Sequence, residues 1–307
     1  MLEFVTRFAP SPTGYLHLGH AYSAVLCQNE ARRNNGSILL RIEDIDQTRC
    51  KPEYTAAIIE DLEWLGIVWS EPIVTQSERM DAYKDALHLL HDKHLLYRCF
   101  KSRQQIAEAL EAQPRSDADD RYSQAYFGKA LPPSEEKKRI EAGDPFAWRL
   151  SVRRALEHIR TDKPNNTEDN PGANDGSGLC FLVEDDSGAK AEGRTANPLA
   201  FGDVVIARKD FPTSYHLASV VDDAAANVSH VIRGEDLADA PHIQVLLQHL
   251  LGYSTPIYRH HRLITGKDGK RLAKRNRSET LRSQRERGLS PQEVLKRLGV
   301  SISSPTA

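Results

Sequence analysis

The order of apolar and polar residues predicts two strands and two helices at the start of the chain. Leu2–Phe8 is short and apolar and favours a strand, and a Pro-Ser-Pro-Thr-Gly segment then precedes a helix over Leu18–Arg33. Asn34–Gly36 ends this helix, because Asn and Gly accept the left-handed conformation of a helix cap. Ile38–Ile42 predicts a buried strand, and Pro52–Leu65 predicts a helix with one apolar stripe. This alternation of strand and helix indicates a βαβ unit in a parallel sheet.

Shorter elements are predicted along the rest of the chain. The capping-box spacing of Ser102 with Gln105, and of Ser290 with Glu293, opens two helices. Residues 161–198 are rich in Asn, Asp, Gly and Pro, so we expect much of this stretch to be an exposed, partly mobile insertion. The other predictions are helices at Ser77–Lys93, Pro133–Ala142 and Ala240–Leu251, a short apolar stretch at Leu95–Phe100, a strand at Ala147–Val152, and ordered segments at Gly202–Arg208 and Ser229–Arg233. We therefore expect an α/β fold, with two layers around one parallel sheet and a long insertion.

Composition and charge narrow the class of protein. The chain has 39% hydrophobic and 27% charged residues, an ordinary composition for a soluble domain. Its formal net charge of −2 excludes a global basic field, so any contact with RNA must come from local patches. The basic runs Lys267–Arg277 and Arg282–Arg287 are candidates, and they are equally typical of solvated loops and helix faces.

Cysteine usage and hydropathy indicate the compartment. Cys27, Cys50, Cys99 and Cys180 are widely spaced, which favours reduced, packed thiols over a disulfide framework. The first residues lack a basic segment followed by an apolar one, and no window approaches the roughly 18–20 apolar residues of a membrane span. We expect a cytoplasmic protein with no signal peptide and no membrane contact.

The first candidate for chemistry is His17-Leu18-Gly19-His20, directly after a strand and a turn. If the helix begins near Leu18, the two imidazoles face the same way, and Gly19 lets a nucleotide approach the backbone. The helix N-terminus adds unpaired N–H groups and a positive dipole end, which suit phosphate. Nucleotidyl transfer needs such donors, aimed at the phosphorus oxygens. Taken alone, the same residues are also typical of two surface histidines near a turn.

The second candidate is the basic segment Lys270–Arg275, preceded by Thr265–Gly269. Closely spaced cations on a glycine-bearing loop can close over a triphosphate and neutralise the pyrophosphate as it leaves. Taken alone, such a run is more typical of a solvated basic loop.

Together, the two segments resemble the HIGH and KMSKS signatures of the class I aminoacyl-tRNA synthetases. His17–His20 is similar to the first, and Arg271–Arg275 is similar to a variant of the second. Arg271 replaces the first lysine and Ala273 the usual serine, and arginine keeps the charge but changes the donor geometry. The resemblance implies binding of ATP as its Mg²⁺ complex. It implies His17, His20 and Lys274 for catalysis, and His17, Gly19, His20, Arg271 and Lys274 for ATP binding.

Further segments resemble the glutamate-type members of this family. They are Arg7–Gly14, Arg41–Asp46 with Thr48-Arg49, Ser214–Ala218 and His230–Asp236. Glutamate carries an ammonium and two carboxylates, so its pocket needs both signs of charge. Arg7 and Arg233 can hold carboxylates through paired N–H donors, Glu43 can accept from the ammonium, and Tyr215 adds a hydroxyl. The resemblance implies an L-glutamate pocket made of Arg7, Ala9, Ser11, Glu43, Tyr215 and Arg233. Each residue singly is also consistent with a structural ion pair or a packed tyrosine.

The resemblance also implies a domain order. It implies a Rossmann-like, parallel-sheet, nucleotide-binding catalytic domain, an inserted acceptor-type subdomain and a short helical C-terminal tail. We expect residues 1–94 and 201–260 to form the two halves of the catalytic domain. Residues 95–200 are then the inserted subdomain with its polar, flexible insertion, and residues 261–307 the second-signature loop and the tail.

The length of the C-terminal tail indicates which molecule accepts the glutamate. Residues 277–307 are too few for the helical anticodon-binding region that follows the second signature in full-length glutamyl-tRNA synthetases. Such a chain resembles the glutamyl-queuosine tRNA(Asp) synthetase family, in which glutamate goes to the queuosine base in the anticodon. The implied partners are L-glutamate, ATP and the tRNA(Asp) anticodon loop, bound by a monomer. Arg282, Arg285 and Arg287 are candidates for contacts with the loop phosphates.

Two alternatives stay open. One is a minimal glutamyl-tRNA synthetase that charges a tRNA 3′ end. The other is a non-catalytic RNA-binding paralogue, which the presence of both signatures and of the glutamate-pocket residues disfavours.

Many members of the family bind zinc through a C-x-C pair with a downstream Tyr and Cys. Here Cys99 has the first position, but Lys101 replaces the second cysteine. Residues 120–129 contain Tyr122 and Tyr126 but no cysteine. Because one thiolate cannot complete a four-ligand site, we expect no structural zinc and a packed Cys99.

Overall fold

The computed structural model describes residues 3–111, 125–162, 177–209, 211, 213–265 and 279–303. It begins with strand β1 (Val5–Phe8), helix α1 (Leu18–Arg33), strand β2 (Ser37–Ile42) and helix α2 (Pro52–Leu65). These bounds confirm the predicted start of the fold. Asn35 after α1 has φ 49° and Gly66 after α2 has φ 80°. Both helices are therefore followed by a residue in the left-handed region, as is common at helix C-termini.

The remaining elements include both helices that the capping-box spacing predicts. Ser102 and Gln105 exchange side-chain to backbone hydrogen bonds of 2.8 and 3.1 Å, and Ser290 and Glu293 form the second box. In chain order the elements are β3 (Ser70–Thr75), α3 (Met80–Asp92), β4 (Leu96–Cys99), α4 (Arg103–Glu111), α5 (Pro133–Glu141), β5 (Ala147–Leu150), α6 (Val152–Asp162), β6 (Cys180–Glu184), β7 (Ala191–Thr195), β8 (Val204–Arg208), α7 (Tyr215–Ala225), β9 (His230–Gly234), α8 (Pro241–Leu251), β10 (Ile257–His261), α9 (Leu281–Glu286) and α10 (Pro291–Leu298).

Two groups of parallel strands form the centre of the fold. The first has the order β1-β2-β3 and the second the order β7-β6-β10-β9, with β7 as an antiparallel edge. The backbone N–H of Ser229, just before β9, donates to the carbonyl of Val5 in β1 at 2.9 Å and links the two groups. The predicted α/β fold with a parallel sheet is confirmed. Residues that follow β1, β2 and β9 therefore emerge at one edge.

A separate antiparallel sheet has the order β4-β5-β8. Its strand β8 lies in the segment assigned from sequence to the second half of the catalytic domain. Conversely, β6 lies in the segment assigned from sequence to the inserted subdomain, but it pairs with β10 in the parallel sheet. Strand pairing therefore crosses the boundary near residue 200, and the domain division stays a prediction.

Part of residues 161–198, much of which the sequence predicts to be an exposed and partly mobile insertion, is instead an ordered strand with buried residues. Cys180–Glu184 is strand β6, and its residues Phe181 and Val183 are buried. This apolar run is short and has polar loops around it, so the composition of the whole segment conceals it. The sequence pattern also does not predict β3, α6, α7, β7 or β10, whose faces are defined by their neighbours in the fold.

Two buried apolar clusters hold these elements together. One joins α3, α6, α7 and α8 to the sheets, and the other joins α1, α2, α9 and α10 to β2. Leu16, before α1, and Ile232, in β9, both belong to the second cluster. The start of α1 and the end of β9 are thus positioned by the same core. In the part of the chain described, no helix has the length and apolarity that a membrane crossing needs.

Candidate active site

A cavity of about 340 Å³ opens at the carboxyl ends of β1, β2 and β9. This is the edge at which open parallel α/β sheets bind their ligands. The predicted residues that line it are Arg7, Ala9, Ser11, Glu43, Tyr215 and Arg233 of the glutamate pocket, and His17, Gly19 and His20 of the ATP site. The structure brings these residues together around one cavity, while their roles stay predictions.

Arg7, in β1, is fixed by an acidic residue of α7. Its Nε donates to Oδ1 of Asp223 at 3.1 Å, and the same oxygen accepts from Nη1 of Arg41 at 2.5 Å. Nη2 of Arg41 then donates to Oε1 of Glu43 at 3.1 Å. Within the described residues, the terminal nitrogens of Arg7 make no hydrogen bond. They are therefore available to a carboxylate in the cavity.

Arg233, in β9, donates from each of its three nitrogens to a side chain. Nη1 donates to the hydroxyl of Tyr215 at 3.2 Å, Nη2 to Oε1 of Gln244 at 3.1 Å, and Nε to Nε2 of His260 at 3.3 Å. The ring of Tyr258 lies 5.3 Å from the guanidinium carbon. These contacts fix the plane of the guanidinium, and each terminal nitrogen keeps a second N–H for a substrate.

Burial and neighbouring charges set the protonation of the site. Burial raises the pKa of the Glu43 carboxyl, and the guanidiniums of Arg41 and Arg7 oppose this rise. Burial, and secondarily the charge of Arg233, lower the pKa of His260 to about 3. His260 is therefore neutral at physiological pH, and its Nε2 can accept the hydrogen bond from Arg233.

His17 is the N-cap of α1, and its ring centroid lies 3.8 Å from that of His20. The backbone N–H of Gly19 donates to Nδ1 of His17, and the N–H of His17 donates to Nδ1 of His20, both at 3.1 Å. Because both Nδ1 atoms accept, the proton of each neutral ring lies on Nε2, which is then a donor. A Cβ on Gly19 would lie 3.0 Å from Cε1 of His17, so glycine permits this close approach.

The predicted cations of the second signature, Arg271 and Lys274, lie outside the described residues. The segments on either side of them lie beside the first signature. Ile264 lines the cavity, and the backbone N–H of Leu281 donates to the carbonyl of Leu16 at 2.8 Å. The chain on both sides of the second signature thus approaches the start of α1.

The predicted phosphate contacts in the tail each have an acidic partner. Arg282 pairs with Glu286 at 2.9 Å, Arg285 with Glu60 at 2.9 Å, and Arg287 with Glu279. Arg282 also lies over the ring of Tyr15 at 5.2 Å. Exposed ion pairs contribute little free energy, so RNA phosphates can compete for these arginines. Their role in RNA binding stays a prediction.

A second cavity, of about 510 Å³, adjoins the first. The lining residues that the two share are Ser11, Glu43 and Tyr215. Asp46, Thr48 and Arg49 form part of its wall, together with Arg208 and Phe211. The hydroxyl of Thr48 and Nε of Arg49 each donate to the carboxylate of Asp46 at 2.6 Å. The arrangement leaves room for a further substrate group beside the first cavity.

The region in which the resemblance would place a zinc site contains an unsuitable set of side chains. Cys99 is buried at the end of β4, and the ammonium of Lys101 lies 5.7 Å from the ring centre of Tyr126. A single thiol with an ammonium and a phenol does not make a zinc site. Among the residues described, no group of three or more His, Cys, Asp and Glu side chains is arranged to hold a metal ion. Tyr122 lies outside those residues, and the absence of structural zinc stays a prediction.

Sequence reasoning misses the side chains that hold the site residues in place. Asp223 could have been found from the sequence, because Asp222 and Asp223 lie between the apolar residues Val220-Val221 and Ala224-Ala225 of α7. Buried carboxylates are almost always paired, so such a doublet indicates cationic partners. Gln244, His260 and Tyr258 have no comparable signal, since they depend on how α8 and β10 lie against β9.

A family model described as the catalytic domain of class I tRNA synthetases (E and Q) matches residues 3–164 and 191–306. The match covers most of the chain, including the residues of the first cavity.

Individual relatives and a solved structure are also similar. The chain is 40% identical over 296 residues to the glutamyl-Q tRNA(Asp) synthetase of Rhodobacter capsulatus, across 96% of this chain and 100% of that protein. It is 38% identical over 308 residues to the glutamate–tRNA ligase of Aquifex aeolicus, across 99% of this chain and 58% of that protein. The crystal structure of the glutamate-tRNA synthetase from Elizabethkingia anophelis has a TM-score of 0.66 and 26% identity, across 94% of this chain and 54% of that one. The chain thus spans all of the first relative and little more than half of the other two.

Proposed function

Because the chain belongs to the class I tRNA synthetase family of the E and Q type, we propose that it activates L-glutamate with ATP and transfers it to the queuosine base in the anticodon of tRNA(Asp). ATP enters as its Mg²⁺ complex, and the intermediate is glutamyl-adenylate. The reaction takes place in the cytoplasm, where ATP and tRNA are found, and the enzyme acts as a monomer.

The charge pattern of the first cavity is the observation that carries this proposal. Arg7 and Arg233 supply two guanidiniums and Glu43 one carboxylate, with the hydroxyl of Tyr215 beside them. Glutamate has two carboxylates and one ammonium, so each of its charges meets an opposite one. Glutamine has one carboxylate fewer, so one of the two nearly buried guanidiniums would lose the substrate anion that it is arranged to bind, which is costly. We assign Arg7, Ala9, Ser11, Glu43, Tyr215 and Arg233 to glutamate binding.

The first chemical step joins glutamate to AMP. A carboxylate oxygen of glutamate attacks the α-phosphorus of ATP, and the bond between that phosphorus and the pyrophosphate oxygen breaks. The Nε2–H groups of His17 and His20 donate to phosphate oxygens as charge develops, and Gly19 leaves the backbone accessible. Arg271 and Lys274 neutralise the departing pyrophosphate.

The second step transfers glutamate to the acceptor. A hydroxyl oxygen of the cyclopentenediol of queuosine attacks the activated carbonyl carbon, AMP leaves, and the hydroxyl proton passes to solvent. The second cavity supports this proposal, because it adjoins the glutamate pocket at Glu43 and Tyr215 and has room for a nucleoside. Phe211 offers a surface for stacking, and Arg49 and Arg208 offer positive charge, as recognition of a splayed RNA loop requires.

The match to the Rhodobacter capsulatus protein over its whole length also supports this acceptor. The test is to incubate the enzyme with ATP and labelled glutamate on tRNA from cells that make queuosine and from cells that do not, and to map the labelled nucleotide by mass spectrometry. We expect label at the anticodon of queuosine-containing tRNA(Asp), and none in the same tRNA without queuosine.

A minimal glutamyl-tRNA synthetase is the second candidate, favoured by the 38% identity to the Aquifex aeolicus ligase. The same mapping separates the two. Label on the 3′ adenosine of unmodified tRNA(Glu), at comparable efficiency, would reject the queuosine acceptor in favour of this second candidate. An absence of glutamate-dependent pyrophosphate exchange would instead indicate a non-catalytic RNA-binding protein.

A further inference from the structure

We propose that Asp223 is a positioning residue for glutamate binding, which holds both the carboxylate-binding and the ammonium-binding side of the pocket. The inference rests on the proposed function, since it concerns the amino-acid site of that reaction. Asp223 does not line the cavity, and it acts through Arg7 and Arg41.

One oxygen of Asp223 holds two guanidiniums. Oδ1 accepts from Nε of Arg7 at 3.1 Å and from Nη1 of Arg41 at 2.5 Å. All three side chains are less than a tenth exposed. Because Asp223 accepts only from Nε of Arg7, the two terminal nitrogens of the guanidinium stay available. A guanidinium with both terminal nitrogens available can form paired hydrogen bonds to a substrate carboxylate.

Arg41 connects Asp223 to Glu43, on the ammonium-binding side of the pocket. Its Nη2 donates to Oε1 of Glu43 at 3.1 Å, while Arg41 itself lines neither cavity. In the described part of the chain, Oε2 of Glu43 has no hydrogen bond, so it is available to the substrate ammonium. A single carboxylate on α7 therefore determines where both Arg7 and Glu43 lie.

The neighbouring Asp222 has a different set of partners. It accepts from Gln76 at 2.8 Å, from Arg79 at 2.7 Å and from Tyr83 at 2.9 and 3.0 Å. These partners belong to the turn before α3 and to α3 itself, and none lines the first cavity. Its Oδ2 lies 3.9 Å from Nε of Arg41, which makes an ion pair that is too long for a hydrogen bond. Asp222 is therefore a buried aspartate on the same helix as Asp223. It stabilises the structure without contacting Arg7.

Because their partners differ, Asp223 and Asp222 provide a matched pair of positions for substitution in this protein. In glutamate-dependent ATP–pyrophosphate exchange, we expect Asp223→Asn to raise the KM for glutamate about tenfold or more, the scale for weakening hydrogen bonds between charged groups. The KM for ATP and kcat should change much less, because the ATP site is not contacted. We expect Asp222→Asn to lower the Tm but to keep the KM for glutamate within about twofold of wild type.

A second variant covers the case in which Asp223→Asn does not fold. Arg41→Lys keeps the buried charge, but one ammonium cannot reproduce the fork that joins Asp223 to Glu43. We expect it to raise the KM for glutamate and to leave the KM for ATP unchanged. A wild-type KM for glutamate in either folded variant overturns the inference, and so does an equal rise in Asp222→Asn. An absence of exchange in the wild-type protein would reject the proposed function itself, and this inference with it.

Discussion

Nη1 of Arg233 donates a hydrogen bond of 3.2 Å to the hydroxyl of Tyr215. Arg233 lies in β9 and Tyr215 is the first residue of α7, so the bond connects the parallel sheet to the helix that carries Asp223. Both residues line the cavity. The position of α7 therefore affects both arginines of the pocket, Arg233 through Tyr215 and Arg7 through Asp223.

We expect Arg233→Lys to lower kcat/KM for glutamate by about 100-fold, since lysine cannot satisfy Tyr215, Gln244 and His260 together while also binding a carboxylate in two places. Tyr215→Phe removes one of these acceptors and should cost about tenfold or less. Steady-state pyrophosphate exchange measures both. Arg103→Lys, on the exposed face of α4, is the control and should match wild type. Near-normal kcat/KM in a folded Arg233→Lys protein would contradict the assignment.

We expect Lys274→Ala to slow glutamate activation by at least about 100-fold, the usual scale for losing one transition-state donor. The prediction depends on its place in the second signature, since Lys274 lies outside the described residues. Stopped-flow or pyrophosphate-exchange rates would test it, with Lys296→Ala on the exposed face of α10 as the control. Normal turnover in folded Lys274→Ala would remove this lysine from the mechanism.

We expect the purified protein to contain substoichiometric zinc and to keep its Tm in the presence of a chelator. The reason is that Lys101 replaces the second cysteine of the family's C-x-C pair, so Cys99 lacks a thiolate partner. Elemental analysis, and thermal unfolding with and without chelator, are the measurements. One tightly held zinc per chain, with a lower Tm in chelator, would show that other residues supply the ligands.

We expect Asp61→Asn to raise the free energy of unfolding by about 1 kcal/mol at pH 8 and to have little effect near pH 4. Asp61 is fully buried in α2, and neither carboxylate oxygen has a hydrogen-bond partner among the described residues. Burial raises its pKa to about 6, and Arg285, 3.9 Å away, opposes this rise. Above pH 6 the folded chain carries a buried charge that the unfolded chain solvates. This penalty disappears as the pH falls from about 6 towards the ordinary value of 3.8.

Urea unfolding at the two pH values tests this prediction. Glu60→Gln is the control, because Glu60 is the exposed neighbour and also pairs with Arg285. A gain in stability for Asp61→Asn that is equal at both pH values would show that the buried charge is not its cause.

The parts of the fold and of the site that depend on short stretches of chain can be predicted from the sequence. The helix ends at Asn35 and Gly66, the capping boxes of α4 and α10, and the bounds of α1 and α2 all depend on neighbouring residues. The pairing of His17 with His20 is equally local, since the two residues belong to the first turn of one helix. Caps and helical periodicity act over a few residues, so they leave a readable pattern in the sequence.

Which distant side chains complete the site depends on how the folded elements pack together. Asp223 meets Arg7 across 216 positions of sequence, and His260 meets Arg233 across 27. The same holds for β6, whose place in the parallel sheet depends on its pairing with β10. Contacts of this kind have no period along the chain, because they arise when separate elements pack against one another. The chemical groups that line the pocket could therefore be predicted from the sequence. The hydrogen-bond network that orients them could not.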